Sequence, residues 1–131
     1  MARLRVSLPT TLLIAGIELV AGGCGNASAP PRLLQSVSVT PATANAQMFS
    51  NGQVQFTAVG NYSQPPSPSP IAQPGWSLSD PNIATISQSG LAQCNSGASG
   101  VVTVRASTPA PCSGTGCTPA LLSGTAQLTC P

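Results

Sequence analysis

Short segments of alternating apolar and polar residues, each closed by proline or glycine, constrain the fold of this chain more than any other feature. The run 35–40 points Val37 and Val39 to one side and polar residues to the other, and Pro41 ends it. The run 53–59 repeats the alternation after an Asn-Gly turn signal. A period of two is typical of β-strands with one buried face, and no window shows a convincing helical period.

Seven such segments occur in the 131 residues, and 14 Pro and 13 Gly separate them. They are residues 35–40, 53–59, 75–79, 83–87, 90–94, 101–106 and 125–130. Short strands between regular turn signals predict an all-β antiparallel sandwich. The side chains expected in its core are Val54, Phe56, Trp76, Leu78, Ile86, Val102 and Val104.

The N-terminal residues read as an export signal. Arg3 and Arg5 precede an apolar stretch at 12–20, and small residues follow it. The stretch is shorter than the roughly 20 apolar residues that span a bilayer, and Glu18 interrupts it. We therefore expect a signal peptide over residues 1–23, a Pro/Gly/Ser-rich tether over 24–33 and one folded domain over 34–131.

Ala21-Gly22-Gly23-Cys24 resembles the end of a bacterial lipoprotein signal, in which small residues precede a cysteine that is lipidated. The resemblance implies that Cys24 is the mature N-terminus and that its acyl chains anchor the protein in a membrane. In this class of lipoproteins, an Asp after the cysteine tends to hold the protein at the inner membrane. Gly25 stands at that position here, so the resemblance implies an outer-membrane or cell-surface location. The alternative is cleavage after Ala27-Ser28-Ala29, an A-x-A signal, with release as a secreted soluble protein.

Five successive segments resemble the strands of the bacterial immunoglobulin-like domain, the group 2 family of intimin- and invasin-type adhesins. They read SVSVTPA at 36–42, GQVQFTA at 52–58, WSLSDPNIATI at 76–86, SGLA at 89–92 and GVVTVRA at 100–106. The resemblance covers about residues 34–107 and implies an immunoglobulin-like sandwich, with the last strand at 123–130. Most family members lack the four cysteines of this domain and the long proline-rich connection at 64–74.

Charged residues are scarce, and the sequence contains neither His nor Lys. Without His or Lys, no serine or cysteine has its usual activating base, and two isolated carboxylates cannot form a glycosidase pair. We therefore expect no enzymatic activity, no catalytic residue and no cofactor. After removal of the signal, the charged side chains are Arg32, Arg105 and Asp80. Their net charge of +1 is too small for nucleic-acid binding.

Besides Cys24, which is lipidated under one cleavage and removed under the other, four cysteines remain in the mature chain, namely Cys94, Cys112, Cys117 and Cys130. An even number in an exported chain favours two disulfides, and three pairings are possible. Spacing favours Cys112 with Cys117 and Cys94 with Cys130. A four-thiolate zinc site is disfavoured because the paired Cys-x-x-Cys spacing is absent, so we expect no metal site.

Three further features each have two interpretations. Trp76 is expected in the core, and the alternative is an exposed ring that stacks on a glycan. Asp80 is expected to cap a turn, since a lone carboxylate is a poor calcium site. The proline run at 64–74 is expected to be an exposed loop, and the alternative is a polyproline II ligand for a groove.

The predicted function is a non-catalytic, lipid-anchored immunoglobulin-like module of the bacterial envelope. It would serve in structural support or in adhesion, with an envelope protein or polysaccharide as its partner. The N-terminal lipid would attach it to the membrane. The alternative is a secreted or surface module that binds a glycan or another small ligand. A fold by itself does not choose between these functions.

Overall fold

The computed structural model describes residues 28–112 and 115–131, and it shows an all-β sandwich. Ten strands follow one another within these residues. They are β1 Leu34–Thr40, β2 Thr43–Asn45, β3 Gln53–Gln55, β4 Thr57–Tyr62, β5 Ser69–Pro70, β6 Gly75–Leu78, β7 Ala84–Ile86, β8 Leu91–Cys94, β9 Gly100–Pro109 and β10 Leu121–Cys130. Two short 3-10 turns, Ala46–Met48 and Ser50–Gly52, join β2 to β3.

One layer of the sandwich is built around the consecutive strands β3 and β4, which only Phe56 separates. Strand β1 pairs with β4, β8 pairs with β3, and β7 pairs with β8, all antiparallel. The backbone N–H of Phe56 donates to the carbonyl of Gly90 at 2.8 Å. This bond joins the two small sheets into one layer.

The second layer has the strand order β2-β10-β9-β6. Strands β9 and β10 form a ten-pair antiparallel hairpin, from Leu121 opposite Pro109 to Cys130 opposite Gly100. Strand β2 pairs with β10 in parallel, so the chain passes from the first layer to the second between β1 and β2. The 3-10 turns and strands β2 and β5 are additions to the seven strands expected from the sequence.

The core lies between the layers and is made of small and branched side chains. Its largest fully buried members are Phe56, Leu128, Val54, Val102 and Val104. Six alanines are also buried, at positions 46, 58, 84, 92, 106 and 126. Small side chains bring the backbones close together, and a Cβ on Gly124 would lie 2.6 Å from the carbonyl oxygen of Val37. The sandwich is therefore thin where β1 crosses β10.

The predicted core needs one correction, at the edges of the two layers. Trp76, Leu78 and Ile86 are partly buried and pack against the core from outside its centre. The reason is their position: β6 and β7 are the end strands of their sheets, so side chains there have neighbours on one side only. Val54, Phe56, Val102 and Val104 lie in the centre.

Candidate functional site

The N-terminal segment meets the sandwich at a contact between Arg32 and Tyr62. The guanidinium carbon of Arg32 lies 3.5 Å from the centroid of the Tyr62 ring, within cation–π range. The same guanidinium donates to the carbonyls of Gln64, at 3.3 Å, and Pro66. One side chain therefore joins the segment before β1 to the proline-rich connection.

Residues 31–33 are held by the same region, although the sequence placed them in the tether. The N–H of Leu33 donates to Ser63 Oγ at 2.9 Å, and the N–H of Ser63 donates to the carbonyl of Leu33 at 2.8 Å. The Ser63 hydroxyl also donates to the carbonyl of Pro31. These hydrogen bonds attach residues 31–33 to the end of β4.

A second notable surface, which we call the distal tip, is formed by Met48 and Phe49. Met48 is 83% exposed and Phe49 is 43% exposed, and they are the only two exposed large apolar side chains that are adjacent in the chain among the residues that the structure describes. The 3-10 turn is fixed at its start because Asn45 Oδ1 accepts from the N–H of Gln47 at 3.0 Å. The exposed pair is therefore presented by a defined backbone.

Beside Phe49 lies a shallow depression of about 590 Å³. Its walls come from the 3-10 turns and from the loop 95–99, and none of its lining side chains is charged. Asn95 anchors that loop by donating to the carbonyls of Pro81, at 3.0 Å, and Asn82, at 2.8 Å. The tip therefore presents apolar and amide side chains next to each other.

The distal tip and the entry of the N-terminal segment lie at opposite ends of the sandwich. Gly124 of β10 packs against Val37 in the middle of β1, whereas Thr129 pairs with Asn45, three residues before Met48. Strand β10 runs from the entry end to the tip, and ten residues of a strand span about 30 Å. This polarity follows from the parallel pairing of β2 with β10.

The four cysteines of the domain form two disulfides, Cys94–Cys130 and Cys112–Cys117, which is the pairing favoured by their spacing. The first joins β8 of one layer to β10 of the other at the tip end, with Cα atoms 5.7 Å apart. The second closes a short loop between β9 and β10. Disulfides are compatible with an exported protein in an oxidising compartment.

Trp76 lies on the end strand β6, and its ring packs against the backbone of Gly90. A Cβ on Gly90 would lie 2.8 Å from Cζ2 of Trp76, so any other side chain at position 90 would collide with the ring. The side chain remains partly exposed to solvent. Trp76 therefore belongs both to the rim of the core and to the surface.

Asp80 caps the turn between β6 and β7. Its Oδ1 accepts from the backbone N–H of Asn82 at 2.8 Å and from the Asn82 side-chain amide at 3.1 Å. This is the turn-capping role expected of an Asp before Pro81. In residues 28–112 and 115–131, no three His, Cys, Asp or Glu side chains lie together as a metal-binding group would need.

Cys24 and the predicted signal peptide lie outside the described residues. Within the part of the chain that the structure describes, no helix has the length and hydropathy that crossing a bilayer requires. The expectation of lipidation at Cys24 therefore stays a prediction.

The distal tip and the Arg32–Tyr62 contact were not predicted from the sequence. Met48-Phe49 could have been noticed as an adjacent apolar pair outside every alternating segment. The partner of Arg32 is 30 residues away along the chain, and no local pattern indicates such a contact.

A scan against models of known protein families found no match to this chain, and a search of curated proteins found no significant match.

Proposed function

We propose that this protein is a non-catalytic, immunoglobulin-like module that a lipid on Cys24 anchors to the bacterial envelope, where it serves as a support or interaction domain. The all-β sandwich and its two disulfides support an exported structural domain. The chemistry supports a non-catalytic role because the whole sequence lacks His and Lys. The resemblance to adhesin domains and to lipoprotein signals supports a location in the bacterial envelope.

The observation that carries the proposal is the polarity of the domain. The N-terminal segment enters beside Leu34, and Met48 and Phe49 follow strand β2, which pairs with the far end of β10, a ten-residue strand that spans about 30 Å. A lipid at the N-terminus would therefore leave the distal tip facing away from the membrane. Exposed Met and Phe side chains are enriched at protein interfaces because they are large, apolar and adaptable. The proposed partner at the tip is an envelope protein.

Lipidation is tested by growing cells with an alkyne-bearing fatty acid and examining the protein after click labelling. Label is expected on the wild-type chain and not on the Cys24→Ser variant. N-terminal mapping of the mature protein is the second measurement, and it is expected to begin at Cys24. An unlabelled wild-type chain that begins at residue 30 would instead establish the secreted alternative.

The tip is tested by photo-crosslinking on intact cells. A benzophenone amino acid at Met48 is expected to capture a discrete envelope protein. The same group at Leu121, which is 64% exposed at the entry end, serves as the matched control. Equal capture from both positions, or capture from neither, contradicts a partner at the distal tip.

A further inference from the structure

A groove runs along the side of the sandwich where the end strands β6 and β7 of the two layers lie next to each other. Its main part has a volume of about 720 Å³, and Trp76, Gln73, Pro74, Ser87 and Gln88 are among its lining residues. A shallower depression of about 100 Å³ continues it toward Phe56 and shares Trp76. The groove is therefore elongated, and Trp76 is the one aromatic residue that lines its main part.

Trp76 is held in a fixed position in this groove. Its ring rests against Gly90, while β6 pairs with β9 through Trp76 opposite Ala106. Among the described residues, no protein group accepts a hydrogen bond from its Nε1–H, and no buried side-chain nitrogen or oxygen lacks a partner. The Nε1–H is therefore accessible to solvent and can donate to a ligand.

The opposite wall of the groove is a turn at 87–90 that several hydrogen bonds fix. Ser87 Oγ and Ser89 Oγ lie 2.8 Å apart, and Ser87 Oγ accepts from the N–H of Leu91 at 3.1 Å. Gln55 Nε2 donates to the carbonyl of Ser89 at 2.7 Å. Gln88 stands exposed on this turn. A wall that is already ordered reduces the entropy cost of binding.

We propose that this groove binds a neutral saccharide chain. None of its lining residues is charged, so an ionic ligand would find no counter-charge there. The ring of Trp76 offers an apolar face to the C–H groups of a sugar, and its Nε1–H offers a donor. The amides of Gln73 and Gln88 both donate and accept, which matches the hydroxyl groups around a sugar ring.

A proline-rich peptide is the competing ligand, and the groove suits it less well. Grooves that hold polyproline II segments are lined by several aromatic side chains, whereas Trp76 is the single aromatic residue of the main groove. A polyproline ligand also lacks backbone N–H donors, so it would leave the acceptors on Gln73 and Gln88 without partners. A saccharide hydroxyl can serve as donor and acceptor alike. The volume lies within the range of ordinary ligand sites.

The inference goes beyond the proposed function, because it depends neither on the lipid nor on a partner at the distal tip. The full chain is purified in a zwitterionic detergent that carries no sugar, and neutral hexasaccharides of glucose, mannose, galactose, xylose and N-acetylglucosamine are titrated into it. Trp76 is the only tryptophan of the chain, so its fluorescence reports on the groove directly. At least one hexasaccharide is expected to shift the emission and to reduce quenching by acrylamide.

The variant Gln73→Ala with Gln88→Ala retains Trp76 and is expected to retain the fold, and it is expected to bind at least about tenfold more weakly. Its thermal unfolding temperature, measured in parallel, is expected to match that of the parent chain. Gln127→Ala, an exposed glutamine on β10, is the control and is expected to bind like the parent.

Three outcomes would overturn the inference. One is that no neutral hexasaccharide of the panel perturbs Trp76. Another is that the double variant binds as tightly as the parent. The third is that a hexauronate or a proline decamer binds more tightly than every neutral saccharide.

Discussion

Gly90 and Trp76 are so close that a methyl group on Gly90 would lie 2.8 Å from Cζ2 of the indole and closer still to the carbonyl oxygen of Phe56. Gly90 also has a φ of +83°, a conformation that side chains rarely adopt. The contact therefore joins β6 of one layer to the turn before β8 of the other. It positions the ring on which the proposed groove depends.

The variant Gly90→Ala is expected to destabilise the domain by about 3 kcal/mol, from left-handed backbone strain and overpacking. Gly97→Ala is the matched control, since Gly97 has a φ of +72° with no atom near the added Cβ. Its free energy of unfolding is expected to fall by about 1–2 kcal/mol, from the backbone strain alone. Urea unfolding measures both, and equal losses would show that the contacts of the added methyl group with Phe56 and Trp76 cost nothing.

Val101 and Val102 are neighbours on β9 with opposite environments, which makes them a test of register. Val102 is fully buried and Val101 is 57% exposed. Val102→Ala is expected to lose about 2–3 kcal/mol because it removes buried methyl groups and leaves a cavity. Val101→Ala is expected to stay within about 0.5 kcal/mol of the parent. A larger loss at Val101 would mean that β9 is shifted by one residue.

The two disulfides are expected to contribute unequally to the free energy of unfolding. The cysteines of Cys94–Cys130 are 36 residues apart, and those of Cys112–Cys117 are 5 apart. On the loop-entropy model, removing the first by double alanine substitution costs about 4 kcal/mol and removing the second about 2 kcal/mol. Chemical denaturation of the two variants measures the difference. Similar losses would contradict the ranking.

Arg32 is expected to hold the proline-rich connection through its stacking on Tyr62. Arg32→Lys keeps the charge but loses the planar group that covers the ring and reaches two carbonyls. Amide hydrogen exchange at Tyr62 and Ser63 is expected to become about fivefold faster, which corresponds to about 1 kcal/mol of local stability. Arg105→Lys, whose parent side chain contacts Ser123 on the outer face, is the control and leaves these amides unchanged.

Stability is expected to depend little on salt or on pH between about 5 and 9. The slope of stability with pH equals the difference in bound protons between the folded and unfolded states. No His or Lys is present, and the described residues contain only Arg32, Arg105 and Asp80 as charged side chains. Thermal unfolding across this range, at low and high salt, is expected to give closely similar midpoints. A shift of many degrees would reveal a charged interaction that these three groups do not explain.

The alternating segments predicted most of the strands because period-two patterning is a local property of the chain. All seven predicted segments contain a strand, and the four central core residues Val54, Phe56, Val102 and Val104 are buried as expected. Strand β5 was missed because its residues, Ser69 and Pro70, carry no alternation and pair only through the backbone of Val59 and Gly60. The partial exposure of Trp76 was missed because an end strand and a central strand have the same local pattern.

The sequence by itself determined the strand-forming segments, the four cysteines of the folded domain and the scarcity of charge, since each is a property of residue identity and short-range order. Only the tertiary structure decided which strands lie at the edges, because edge position depends on pairing between residues far apart in the chain. For the same reason it alone placed Met48 and Phe49 opposite the N-terminal entry, set Arg32 on Tyr62 and opened a groove beside Trp76. Those long-range contacts, and not the composition, define the surfaces through which the domain is proposed to act.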